Sequence, residues 1–139
     1  MTHDDYRALR DDAALGAIAP RAQVAVTGAD RAAYLQGLLT NDIPALQPGT
    51  GCYSAWLSPQ GRMLTDMHVL ESGGMILLDL PAGTAAATVE RLDQFIFSED
   101  VQVASMAGTL SGVWIHGPRA AAVLTRVLDG APPLESWRD

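Results

Sequence analysis

Hydrophobic and polar positions change period several times along the chain. Gln23 to Thr27 alternates, the period of a strand, and apolar residues then return every three or four positions from Asp30 to Thr40, the period of a helix. Asp5 to Ala19 has helical spacing through Tyr6, Leu9, Ala13 and Ile18, and Pro20 is a stop signal. The loop PALQPGTG separates the second helix from a strand predicted over Cys52 to Leu57. SPQGR reads as a tight turn into an antiparallel partner, Met63 to Glu71. SGG leads to a buried strand, Met75 to Leu80, closed by Pro81, and Gly83 to Phe97 reads as a long helix with Ala87, Leu92, Phe95 and Ile96 inward. FSEDVQVAS and LSGVWIHG add two strands and a last helix follows, so the pattern predicts an α+β fold with a mostly antiparallel sheet and packed helices.

One strand-turn-helix unit occurs twice. Val24 to Asp42 (VAVTGADRAAYLQGLLTND) returns 89 positions later as Val113 to Asp129 (VWIHGPRAAAVLTRVLD). Val24 falls on Val113, Val26 on Ile115, Gly28 on Gly117, and Leu35, Leu38 and Leu39 on Leu124, Val127 and Leu128. A glycine between strand and helix can seat a phosphate on helix amides, but the dinucleotide fingerprint needs further glycines, and here Ala29 and Asp30 follow. Asp30 at a helix start caps N–H groups and repels an anion, and Pro118 in the second unit offers no N–H. The repeat therefore reports architecture: a turn at each glycine and a helix packed by its Leu/Val stripe.

Composition narrows the function classes. The 139 residues carry nine Arg, no Lys and 16 acidic residues, a net charge of −7 with the cations scattered singly, which disfavours nucleic acid as a partner. Cys52 is the single cysteine, so no internal disulfide forms. No apolar h-region opens the chain and no uncharged apolar run reaches membrane-spanning length, which suggests a cytoplasmic protein with no membrane partner.

Few residues invite chemistry. His3, His68 and His116 share no metal-ligand spacing, and Ser54 and Ser58 lack a neighbouring His or a glycine elbow, so neither a metal site nor a hydrolase triad is indicated. Cys52, Trp56 and Trp114 read as packing residues on strands. Asp66 stands out, because MLTDMHV puts a carboxylate mid-strand among large apolar side chains, where burial is costly unless something binds it. An edge strand with Asp66 turned to solvent is the plain alternative. Asp79 in MILLDLP repeats the situation, and two such acids hint at a polar cavity for the donor groups of a ligand.

GADRAAYLQGLLTNDI, YSAWLSPQGRMLTDMHV, FSEDVQV and HGPRAAAVL, in this order over roughly residues 5–130, resemble the folate-binding superfamily of the glycine-cleavage T-protein and the YgfZ-type proteins of iron–sulfur cluster maintenance. The resemblance implies a first domain over residues 1–130 of a longer chain, with 131–139 as linker or tail, and tetrahydrofolate bound in the central hole of a ring of three domains. The remaining domains of its own chain, folate and iron–sulfur enzymes are then the implied partners. In the T-protein pattern a tyrosine opens the strand that YSAWL resembles, and thirteen residues later an aspartate ends a double-glycine, double-aspartate motif. Tyr53 and Asp66 match these places, and Asp79 matches more weakly an asparagine on the next strand.

QGRMLTD departs from that motif by placing Thr65 where the first acid stands, as YgfZ-type sequences do, and the chain begins only a short helix before Gln23. In that branch the cysteine-bearing motif K-G-C-Y-x-G-Q-E would lie at positions beyond residue 139, and Cys52-Tyr53 lacks its flanking residues. The reading that follows is a tetrahydrofolate-binding accessory protein supporting iron–sulfur enzymes without efficient turnover. Its alternatives are an aminomethyltransferase-like one-carbon transfer enzyme, with Asp66 as electrostatic partner or proton acceptor, and a non-catalytic packing domain.

Overall fold

Alternation in the sequence becomes a five-stranded antiparallel sheet in the computed structural model, which describes residues 2–16 and 20–128. Element order is α1 (His3–Asp11), β1 (Ala14–Gly16), β2 (Arg21–Thr27), α2 (Arg31–Gln36), β3 (Gly51–Leu57), β4 (Met63–Glu71), β5 (Ile76–Pro81), α3 (Ala82–Gln94), β6 (Gln102–Ser105), β7 (Trp114–His116) and α4 (Ala120–Val127). The residues cluster into two compact units, one from the described parts of Met1–Ile18 and Gly112–Ser136, the other from those of Ala19–Ser111.

The larger unit holds the sheet, in the order β3-β4-β5-β2-β6. Period-2 alternation sends Thr65, Met67 and Val69 of β4, Leu78 and Leu80 of β5, and Val24 and Val26 of β2 to one face, all at most 5% exposed. Tyr34, Leu35, Leu39, Ile43 and Leu92 complete this core, with Trp56 from β3. The Tyr34 hydroxyl donates to the Leu92 carbonyl at 2.6 Å, which satisfies the buried phenol and ties α2 to α3. The SPQGR turn forms as expected, with Ser58 N–H donating to the Arg62 carbonyl at 2.7 Å.

Three expectations change. Helical spacing over Asp5 to Ala19 ends at Asp11, where Asp12 takes a non-helical conformation and Ala14–Gly16 pairs with β7, so cross-strand partners outweigh the local pattern (Ala17, Ile18 and Ala19 lie outside the described residues). The helix expected over Asp30 to Thr40 stops at Gln36, because Gly37 and Leu38 donate to carbonyls three residues back and Leu39 bridges to Trp56. In α3 and just after it, Leu92 is buried and Ile96 packs against the core as expected, while Ala87 and Phe95 are exposed and Thr88 takes the inner place.

The repeat is reproduced in three dimensions. Gly28 (φ 105°) follows β2, and the Asp30 N–H donates to the Asp100 carbonyl at 3.2 Å, just before β6, the antiparallel neighbour of β2. Gly117 (φ 113°) follows β7, and the Arg119 N–H donates to the Asp12 carbonyl at 3.0 Å, just before β1, the antiparallel neighbour of β7. Each glycine thus lets a strand-to-helix turn close over an aspartate carbonyl. The stripe on the two helices differs. Leu35 and Leu39 are buried, whereas Val127 and Leu128 of the second copy are exposed, so the expected packing of that stripe does not occur among the described residues.

Candidate functional site

Opposite the core, the sheet presents a face whose character is set by the same alternation. β4 lies between β3 and β5, but its pairing with β5 covers His68–Glu71, and at Asp66 the paired neighbour is Ala55 of β3. Asp66 is half-buried on this face, and Thr65 points the other way, its Oγ1 2.9 Å from Thr84 Oγ1 at the start of α3. The Tyr53 hydroxyl donates to Asp66 Oδ2 at 2.5 Å across β3 and β4. That bond, together with reduced hydration and the Asp66 charge, raises the Tyr53 phenol above its ordinary range, partly offset by the Arg21 cation. The two residues thirteen apart in sequence are therefore one hydrogen-bonded pair.

Asp79 sits in a different setting. Its Oδ2 accepts from Arg21 Nε at 3.0 Å and its Oδ1 from Gln23 Nε2 at 2.8 Å, while its carbonyl accepts from Arg21 Nη2 at 2.6 Å. The carboxylate is thus neutralised and bonded within the fold, with side-chain exposures of 16% for Arg21 and 13% for Asp79.

Register lines these groups up. Tyr53 is the cross-strand partner of His68, His68 of Asp79, and Asp79 of Gln23, giving one polar row straight across four strands. The next row on the same face, Gly51, Leu70, Leu77, Ala25 and Ala104, is apolar. Exposure rises along the polar row from 8% at Gln23 and 9% at Asp79 to 52% at Tyr53, so its wet end is the Tyr53–Asp66 pair. The Tyr53 and His68 rings lie 5.4 Å apart between centroids.

Sequence reasoning passed over His68 and Gln23. Their signal is the i, i+2 relation of Asp66 to His68 on one strand and a lone polar residue in RAQVAV on another. Cys52 packs against the core, and burial first, then the Asp42 charge, raises its thiol above the ordinary range, which suits a packing role. Asp30 does not cap α2 with its side chain; its Oδ2 accepts from the Asp100 N–H at 2.8 Å. The Ala29 N–H is in turn taken by Asp100 Oδ2 at 3.0 Å, so the amides after Gly28 are occupied by an aspartate rather than open to a phosphate. An open groove of about 730 Å³ beside α3, walled by Ala82, Ala85, Ala86 and Val89, reaches the row at Arg21 and Gln23 but not at Tyr53 and Asp66.

The family described as GCVT N-terminal domain matches residues 1–135. The chain belongs to the GCVT N-terminal domain family. Similar relatives include the aminomethyltransferase of Bacillus subtilis (strain 168), 29% identical over 126 residues, covering 90% of this chain and 34% of the relative. That of Bacillus licheniformis is 28% identical over 127 residues, covering 91% and 35%. The crystal structure of glycine cleavage system aminomethyltransferase T from Bartonella henselae superposes with a TM-score of 0.75 at 28% identity, covering 88% of this chain and 34% of that one. The chain thus spans about a third of the length of the relatives it matches, and its fold is that of the N-terminal part of a T-protein-like protein. Among the described residues of this GCVT-family chain, no helix is long and apolar enough to cross a membrane.

Proposed function

We propose that this chain supplies the ligand-binding sheet face of a tetrahydrofolate-dependent, aminomethyltransferase-like protein. The observation that carries the reading is the Tyr53–Asp66 pair, a half-buried carboxylate on the sheet face opposite the core. Among the described residues, the one side-chain donor to that carboxylate is Tyr53, which engages Oδ2. Oδ1 is then available to a ligand N–H, and the donor edge of a reduced pteridine fits such an acceptor. Relatives named aminomethyltransferases support the transfer reading.

Tetrahydrofolate, when bound, supplies the nitrogens that take up a one-carbon unit. In this reading Asp66 orients the ring through its N–H groups and stabilises positive charge that develops there, and Tyr53 fixes which oxygen faces the ligand. Asp79 contributes less directly. Held by Arg21 and Gln23, it keeps the row rigid beside the pair.

A second reading, a folate-binding accessory of the iron–sulfur type, draws on Thr65. The position carries a neutral hydroxyl 5% exposed and paired with Thr84, where the T-protein pattern has an acid. The test is anaerobic titration calorimetry with tetrahydrofolate, followed by amide shift mapping and by incubation with an aminomethyl donor. Binding with shifts at Tyr53, Asp66 and His68 and release of ammonia supports transfer. Binding without turnover supports the accessory reading, and no binding, or shifts only on the α3 side, overturns both.

A further inference from the structure

Tyr53 stands on β3, the edge strand of the sheet beside β4. An edge strand turns backbone N–H and C=O groups outward, and such a strand is poorly held unless something answers them. Here the answer comes from Leu39, Thr40 and Asn41, in the turn after α2. Leu39 bridges to Trp56. The Thr40 N–H donates to the Ala55 carbonyl at 3.1 Å, and Thr40 Oγ1 accepts from the Ala55 N–H at 2.9 Å. Asn41 Nδ2 donates to the Tyr53 carbonyl at 2.9 Å. Ala55 is the cross-strand partner of Asp66, so these bonds hold the edge at the two β3 positions that frame the Tyr53–Asp66 pair. The segment is itself fixed: Leu39 and Ile43 are 8% and 1% exposed, and the Ile43 N–H donates to Gln36 Oε1 at 2.9 Å. Thr40 and Asn41 are exposed, so their contribution is these bonds rather than apolar burial. The duplicated strand-turn-helix unit does not require them, because in its second copy their places fall on Asp129 and Gly130.

We propose that Thr40 and Asn41 are positioning residues of the ligand-binding face: they stand in for a neighbouring strand on the edge of β3 and so keep the Tyr53 hydroxyl on Asp66 Oδ2, with Oδ1 left to the ligand. The inference rests on the folate reading for what the pair binds and adds what holds the pair in place. Tyr53 reaches Asp66 at 2.5 Å from the end of a long side chain, so the position of its backbone decides whether that bond is made. A loosened edge lets β3 shift, the hydroxyl leaves the carboxylate, and Asp66 turns its oxygens to water instead of to a ligand N–H.

The test compares the whole chain in four forms: wild type, Asn41→Ala, Thr40→Val, which keeps shape but loses the acceptor for the Ala55 N–H, and Thr40→Ser, which keeps that acceptor. Each is titrated with tetrahydrofolate, and the Tyr53 phenol is followed by carbon NMR of ring-labelled tyrosine, its signal assigned among the three tyrosines with Tyr53→Phe. Thr40→Val and Asn41→Ala are expected to bring the Tyr53 phenol down toward its ordinary range, because the bond to Asp66 is the first cause of its raised position. Both should lose about three- to tenfold in affinity, roughly 0.7–1.4 kcal/mol at 1.4 kcal/mol per decade, and Thr40→Ser should keep wild-type values of both. A merely structural role lowers the urea midpoint and leaves the Tyr53 phenol in place, which overturns the inference. Wild-type affinity in both Thr40→Val and Asn41→Ala overturns it too, as does a Thr40→Ser variant as impaired as Thr40→Val, and in these cases the folate reading stands. No binding by the wild type overturns the folate reading and, with it, the site role of the two residues, whatever the phenol does.

Discussion

Replacing Gly28 by Ala tests whether the repeated turn is a steric necessity. A Cβ built at Gly28 lies 1.9 Å from the Asp100 carbonyl oxygen, 2.6 Å from its carbon and 2.9 Å from Val101 Cα, all backbone atoms that no rotamer change can move. Relief requires the segment before β6 to retreat. That retreat strains three hydrogen bonds: Asp30 N–H to the Asp100 carbonyl, Ala29 N–H to Asp100 Oδ2, and Asp100 N–H to Asp30 Oδ2. A left-handed backbone at a non-glycine residue costs about 1–3 kcal/mol and each weakened hydrogen bond up to about 1 kcal/mol, so the loss is about 3–5 kcal/mol. Gly61→Ala is the control, because Gly61 also has positive φ (77°) but meets nothing within 4 Å; about 1 kcal/mol is expected there. Urea unfolding followed by circular dichroism gives both values. Equal losses in the two variants, or a Gly28→Ala loss below about 1 kcal/mol, refute the steric account.

Burial first, and then the charges of Glu99 and Asp93, raise the Tyr34 phenol to about 12. The folded state keeps a proton that the unfolded chain sheds near pH 10, so this contribution is complete below that pH and is lost as pH rises toward 12; it amounts to about 2 kcal/mol, and denaturant midpoints of Tyr34→Phe should fall less steeply over that window. Arg21→Ala leaves the Asp79 carboxylate uncompensated and should cost about 3 kcal/mol, whereas Arg119→Ala removes a partner from a pair whose side chains are 66% and 59% exposed and should cost less than about 1 kcal/mol, both read by urea unfolding. Because the Tyr53–Asp66 bond is the first cause of the raised Tyr53 phenol, Asp66→Asn should lower it, seen as an earlier tyrosinate absorbance rise in alkaline titration.

What the sequence made legible follows from period and spacing. The strand over Met63 to Glu71 was readable in full because one face is buried and one is not, so its alternation is clean. The duplicated glycine turn was equally plain, and the family pattern marked Tyr53 and Asp66 as site positions, but their hydrogen bond to each other came only with the strand register. Helix ends were not, since Gly37 and the Leu39 to Trp56 bridge end α2 early for tertiary reasons. The short strand after α1 was hidden, because its partner lies about a hundred residues away in β7. The partners of Asp79 were hidden for the same reason: Arg21 is 58 positions distant, and only sheet order brings β2 beside β5. His68 was visible as a residue but not as a neighbour of Tyr53, which depends on register.

The central claim is that Asp66 faces a folate ligand, and Asp66→Asn tests it most directly. The substitution keeps shape and an acceptor for the Tyr53 hydroxyl while removing the charge. Loss of a charge-assisted hydrogen bond of about 1.5–3 kcal/mol predicts a fall in tetrahydrofolate affinity of roughly ten- to a hundredfold. The ligand-free melting midpoint should stay close to that of the wild type, since the amide still accepts from the Tyr53 hydroxyl. Calorimetric titration and thermal melting of the same variant give both numbers. Weakened binding with an undiminished midpoint is the predicted result, and wild-type affinity in Asp66→Asn contradicts the account.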